Sequence, residues 1–150
     1  IFRSMESGPT STAGGCEKRG AVLVADDSAS IRTRLALLVG RMPGVSTVVQ
    51  AASDQEVMEA LGRIRPFVAL IDVHLDDHGG GALLERIKQQ FPATVLVAMT
   101  RYSGPQLAAN YRACGADYCF DKTSELELLL QTIGRLSPLD EKNEPHKENP

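Results

Sequence analysis

The sequence predicts an α/β domain, a five-stranded parallel sheet covered by five helices. Two observations carry that expectation. Short apolar runs alternate five times with stretches of helical periodicity, and the runs are continuous rather than alternating, as strands buried on both faces require. A third observation points to where chemistry lies: the first, third, fourth and fifth runs each lead into a polar residue able to bind or react.

The elements follow in order. Residues 1–19 are rich in Gly, Ser and Thr and read as a flexible N-terminal tail, with Met5 as the natural start. Ala21-Val22-Leu23-Val24-Ala25 is a buried strand ending in Asp26-Asp27. Ser28 caps the next helix, where Ile31, Leu35, Leu38 and Val39 share a face, and Met42-Pro43-Gly44 ends it. Thr47 to Ala51 is a weaker strand. Ser53-Asp54-Gln55-Glu56 matches a capping box, followed by the stripe Val57, Leu61, Ile64 and a stop at Pro66.

Val68-Ala69-Leu70-Ile71-Asp72-Val73 is the third strand, with a carboxylate near its end. A buried acid is costly unless it is paired. Gly79-Gly80-Gly81 interrupts, and Leu83, Leu84, Ile87 and Phe91 line the third helix. Thr94 to Met99 is a strand ending at Thr100. Leu107, Tyr111 and Cys114 mark the fourth helix, with Gly115 at its C-terminal cap. Tyr118-Cys119-Phe120 is a short strand leading to Lys122. Ser124-Glu125-Leu126-Glu127 matches a second capping box, and Leu126, Leu129, Leu130 and Ile133 form the last stripe; Leu128 falls off it. The folded domain is therefore 20–136, and 137–150 reads as a flexible C-terminal tail or linker. Right-handed crossovers and this size favour the flavodoxin-like, doubly wound order 2-1-3-4-5.

Totals narrow the function. The chain has 150 residues, 43% hydrophobic and 23% charged, which suits one soluble domain. A net charge of −3 offers no basic footprint for direct nucleic-acid binding. No apolar run approaches the roughly 20 residues of a membrane helix. Three cysteines without a CxxC motif fit reduced thiols in a cytoplasmic protein.

In an open α/β sheet the ligand sits beyond the carboxyl ends of the strands, where strand order reverses. That crevice collects Asp26 and Asp27 from the first strand and Asp72 from the third, flanked by Thr100 and Lys122. Clustered carboxylates repel, and a hard divalent cation such as Mg²⁺ relieves them while sharing phosphate oxygens. One carboxylate can then act as a nucleophile toward a phosphoryl group, with the cation of Lys122 and the hydroxyl of Thr100 at hand for the equatorial charge. A single polar residue after a strand is most often a turn or cap; the set at four strand ends is what argues for chemistry. His74 and His78 bracket Asp76-Asp77, read as a polar loop rather than a transition-metal site. The triple glycine lacks nucleotide-fingerprint spacing. Cys119 reads as a small core residue rather than a redox thiol.

These residues resemble the receiver domain of two-component response regulators, of the chemotaxis-regulator kind, over about Ala21 to Leu136. The motifs are Val-Leu-Val-Ala-Asp26-Asp27-Ser, Ala-Leu-Ile-Asp72-Val-His-Leu, Met-Thr100, and Gly115-Ala116-Asp117-Tyr118 leading to Lys122. The resemblance implies a phosphorelay protein in which Asp72 accepts a phosphoryl group from a sensor kinase phosphohistidine. It implies that Asp26, Asp27, Asp72 and the His74 backbone carbonyl hold Mg²⁺, that Lys122 pairs with the phosphoryl group, and that Thr100 swings to bond it. It implies as partners a sensor histidine kinase or phosphotransfer protein, and a downstream protein or output domain. It also implies a switching surface on helix four, strand five and helix five, open to homodimer formation.

Four positions depart from the family pattern. Thr123 follows Lys122 where proline with a cis peptide is usual, so the loop is either cis without proline or differently shaped. Arg101 replaces a small residue after Thr100. Leu75-Asp76 replaces Met-Pro. Cys119, flanked by Tyr118 and Phe120, stands where the rotating aromatic belongs. Arg101, Tyr118, Cys119 and Phe120 are thus the candidates for relaying the switch. Two other functions compete: a phosphorylation-independent pseudo-receiver that only binds partners, and an aspartyl-phosphate hydrolase, for which the short loops leave little room.

Overall fold

Val68–Asp72, the most buried strand, lies at the centre of the sheet because all five of its side chains are packed on both faces. The computed structural model describes residues 20–75, 81–101 and 104–137. The strands are β1 (Gly20–Ala25), β2 (Val45–Ala51), β3 (Val68–Asp72), β4 (Val95–Thr100) and β5 (Tyr118–Asp121). The helices are α1 (Ala29–Gly40), α2 (Asp54–Ile64), α3 (Gly81–Gln90), α4 (Pro105–Ala113) and α5 (Leu126–Leu136). All strand pairs are parallel, in the order β2-β1-β3-β4-β5 that the alternation predicts.

Side chains alternate across each strand and so build two cores. Leu23, Ala69, Ile71, Leu96 and Ala98 face α2, α3 and α4, together with Val57, Leu61, Leu83, Leu84 and Ile87. Val22, Val24, Leu70, Val97 and Met99 face α1 and α5, meeting Leu35, Val39, Leu129 and Ile133. Register fixes the site: Ala25 lies opposite Ile71 and Asp72 opposite Met99, so Asp26, Asp72 and Thr100 leave the sheet at neighbouring points.

Local signals behave as their chemistry requires, with exceptions. The Ser28 hydroxyl accepts from the Ile31 amide at 3.4 Å and caps α1. The Ser53 hydroxyl accepts from the Glu56 amide at 3.2 Å, and Glu56 Oε1 reaches back to the Ala52 amide at 2.7 Å, one residue before the cap. β2 begins at Val45, earlier than the Thr47 expected. The second capping box does not form. α5 has Glu125 at its N-cap with no side-chain cap bond. Asp121 takes over instead: its Oδ1 accepts from the Thr123 amide and hydroxyl and from the Ser124 amide, while Glu125 Oε1 accepts from the Asp121 amide at 2.8 Å.

The α4 stripe is only half-buried, and no α4 residue is fully covered. Ser137, placed in the tail by the sequence, is buried and donates its hydroxyl to the Pro43 carbonyl at 3.2 Å. The readings of residues 1–19 and 138–150 as tails, and those of Asp76, Asp77, His78, Gly79 and Gly80, lie outside the described residues.

Candidate functional site

Four of the predicted site residues meet at the carboxyl end of the sheet, and all four are buried: Asp26, Asp72, Thr100 and Lys122. Asp27 is beside them and exposed. Each carboxylate is shaped by the backbone that follows it. Asp26 Oδ1 accepts from the Ser28 amide at 2.9 Å, and Asp72 Oδ1 accepts from the His74 amide at 3.1 Å. These turns orient the second oxygen of each carboxylate toward Lys122. The ammonium lies 2.7 Å from Asp26 Oδ2 and 3.3 Å from Asp72 Oδ2. Its hydrogen bond goes to Asp26; toward Asp72 it makes an ion pair without hydrogen-bond geometry, and Asp72 Oδ2 is buried with no hydrogen bond.

Burial pushes the Asp72 carboxyl above its ordinary value of 3.8, and the Asp26 charge adds to this. The His74 amide and the Lys122 ammonium oppose the rise. Of the two oxygens, Oδ1 has a backbone donor and Oδ2 is buried without one.

One oxygen each from Asp26, Asp27 and Asp72 can be chosen within 4.8 Å of one another. Such a set of hard oxygen donors suits a divalent cation. His74 is exposed, with its amide committed to Asp72.

The Lys122–Thr123 peptide is trans, since no cis bond occurs among the described residues. The loop therefore takes the second of its two expected forms, organised by Asp121. The Lys122 amide donates to the Thr100 carbonyl at 2.9 Å, which fixes the lysine stem over the end of β4.

The switch candidates separate by face. Tyr118 and Phe120 stack, with ring centroids 6.2 Å apart and planes 7° from parallel, on the α1/α5 side. Cys119 points to the other side, where it packs on the same core as Tyr111 and Cys114. Burial pushes the Cys119 thiol up, which disfavours a reactive thiolate. Burial likewise raises the Tyr111 phenol, with Cys119, Cys114 and Asp72 adding to it. Arg101 is exposed just past Thr100 and shares the lining of a recess with Lys122 and Thr123.

Two contributors were not legible as site residues. Arg32 donates from Nη1 to the Asp26 carbonyl at 2.7 Å and from Nε to Gln50 Oε1 at 3.2 Å, bracing the first strand end. Asp121 shapes the loop carrying Lys122. The sequence Asp121-Lys122-Thr123-Ser124 holds the signal for the latter, an Asp followed by amides it can accept from. No comparable local signal marks Arg32.

Comparison with known proteins agrees with this geometry. Residues 22–134 match the response regulator receiver domain family. The sensory transduction protein LytT of Enterococcus faecalis is 34% identical over 116 residues, covering 77% of this chain and 47% of that protein. The DNA-binding transcriptional regulator NtrC of Proteus hauseri is 32% identical over 118 residues, covering 79% of this chain and 24% of that protein. A protein-glutamate methylesterase/protein-glutamine glutaminase of Geobacter metallireducens is 32% identical over 63% of this chain and 27% of its own length. The chain thus spans about a quarter to a half of these relatives. Among solved structures, the signal receiver domain of a DNA-binding response regulator from Colwellia psychrerythraea superposes with a TM-score of 0.71 at 22% identity, over 77% of this chain and 96% of that one.

Proposed function

The chain belongs to the response regulator receiver family, and we propose that within it Asp72 is the residue that accepts a phosphoryl group. The observation that carries this reading is the buried Asp72 Oδ2, which has no hydrogen bond and faces a lysine and two further carboxylates. In the proposed reaction Oδ2 attacks the phosphorus of a phosphohistidine on a sensor kinase or phosphotransfer protein. The new O–P bond forms as the P–N bond breaks, and the imidazole leaves. Asp26, Asp27, Asp72 and the His74 carbonyl would hold Mg²⁺, which when bound neutralises charge on the acids and the incoming phosphoryl oxygens.

Lys122 shifts its ammonium from the carboxylates to the phosphoryl group, a cation already placed before the charge arrives. The Thr100 hydroxyl bonds a phosphoryl oxygen, and its movement draws the end of β4 toward the site. The exposed His74 borders the approach of water and so tunes loss of the phosphoryl group. The output is a changed α4–β5–α5 surface, read in the cytoplasm by a downstream protein, an attached output domain or a second copy. The chain turns over no external substrate. A pseudo-receiver is the weaker reading, because the three acids and the Lys122 ammonium lie together and Thr100 is buried at the neighbouring strand end.

Incubation with Mg²⁺ and acetyl phosphate, followed by intact mass measurement, tests this. A gain of one phosphoryl group that Asp72→Ala abolishes is the expected outcome. An unmodified wild-type protein would leave the pseudo-receiver standing.

A further inference from the structure

We infer that the recess between α1, α5 and the ends of β4 and β5 is a binding site for a small organic oxyanion on an apolar body. The recess has a volume of about 360 Å³ and is lined by Ile31, Arg34, Leu35, Arg101, Lys122, Thr123 and Leu126. That size lies within the range of small-molecule sites, roughly 300–1,000 Å³, which are mostly apolar with a few placed polar groups.

Its lining divides by chemistry. Ile31, Leu35 and Leu126 give an apolar surface, and Arg34, Arg101 and Lys122 give cations, with no acid among them. Lys122 is already neutralised by Asp26 and Asp72. Arg34 and Arg101 are both exposed and make no hydrogen bond or ion pair among the described residues. Among the described residues neither guanidinium has an acidic partner, so both are free to bind an anion beside the apolar recess. A guanidinium fork matches the two oxygens of a carboxylate or phosphate. The apolar residues add selectivity for a ligand with a hydrocarbon or aromatic body.

The recess shares Lys122 with the acceptor carboxylate, but its two exposed arginines and its apolar residues make no contact with Asp72 that the inference needs, so it does not rest on Asp72 being the acceptor. The test therefore uses unphosphorylated protein without Mg²⁺. Phenyl phosphate and benzoate are titrated against methyl-labelled protein, with inorganic phosphate and benzyl alcohol as probes lacking one half of the chemistry. The expected result is saturable shifts of the Ile31, Leu35 and Leu126 methyls by at least one aromatic oxyanion, at lower concentration than either control. Arg34→Gln and Arg101→Gln, both at exposed positions, should each weaken binding about tenfold. The inference is overturned by three results: no saturable shift, inorganic phosphate binding as well as phenyl phosphate, or both arginine variants binding like the wild type. Stronger binding of phenyl phosphate than benzoate identifies a phosphate ester as the ligand class, and the reverse a carboxylic acid.

Discussion

Lys122 holds two buried carboxylates that would otherwise face each other. Its contribution is better described as avoided repulsion than as net stabilisation, since a buried ion pair gains little over apolar packing but costs much when one partner is removed. Lys122→Met should lower stability by about 3–5 kcal/mol near neutral pH. Urea unfolding should show that loss narrowing in acid, as Asp72 takes a proton. An unchanged midpoint at neutral pH would mean that the carboxylates find other compensation. At this scale the sequence was most informative about groups at strand ends, because burial and register leave those few positions to meet. It was least informative about Asp121. Ser124 to Glu127 satisfies the capping pattern locally, yet the Asp121 carboxylate takes the Ser124 amide, which the box would give to Glu127, together with the Thr123 amide.

At the scale of elements, α3, β4 and the α4–β5 turn are joined through Lys88. Its ammonium donates to the Thr94 carbonyl at 3.0 Å and pairs with Asp117 at 2.9 Å, and Asp117 Oδ2 accepts from the Leu96 amide at 2.8 Å. Gly115 makes this possible. Its φ is +118°, and a Cβ there would lie 2.8 Å from Lys88 Cγ. Gly115→Ala should therefore cost about 1–3 kcal/mol, from backbone strain and the displaced lysine, read from the urea midpoint. The glycine was legible as a helix stop; the lysine beneath it was not, because that contact joins parts of the chain far apart in sequence. α4 itself was legible as a helix, though how little of it is buried was not. It covers the four-residue edge strand β5, which offers too little surface to bury the stripe of Leu107, Tyr111 and Cys114.

For the whole molecule, fold class and strand order followed from alternation and crossover handedness, and the two-sided core bears them out. The site makes the fold's stability depend on pH. Burial raises the Asp72 carboxyl in the folded state, so the folded protein holds that proton more tightly than the unfolded chain. The resulting stability is fully present below the ordinary carboxylate value and is lost as pH rises through the raised one. Asp72→Asn removes the dependence. At neutral pH it should be more stable than the wild type by about 1 kcal/mol, a gap that closes in acid. Urea midpoints across a pH series would show the two curves converging; parallel curves would contradict the reasoning.

The lysine of the β5–α5 loop reaches across the end of β4 to carboxylates of β3 and β1. Under the proposed phosphoryl transfer to Asp72, position of the last helix and readiness of that acid are therefore not independent quantities. Binding free energies are reciprocal. Whatever the acceptor's modification does to a partner's equilibrium affinity for α5 by displacing this ammonium, the same partner does to the equilibrium affinity of the acceptor for its phosphoryl group. A reader of the signal is, by the same linkage, one of its authors.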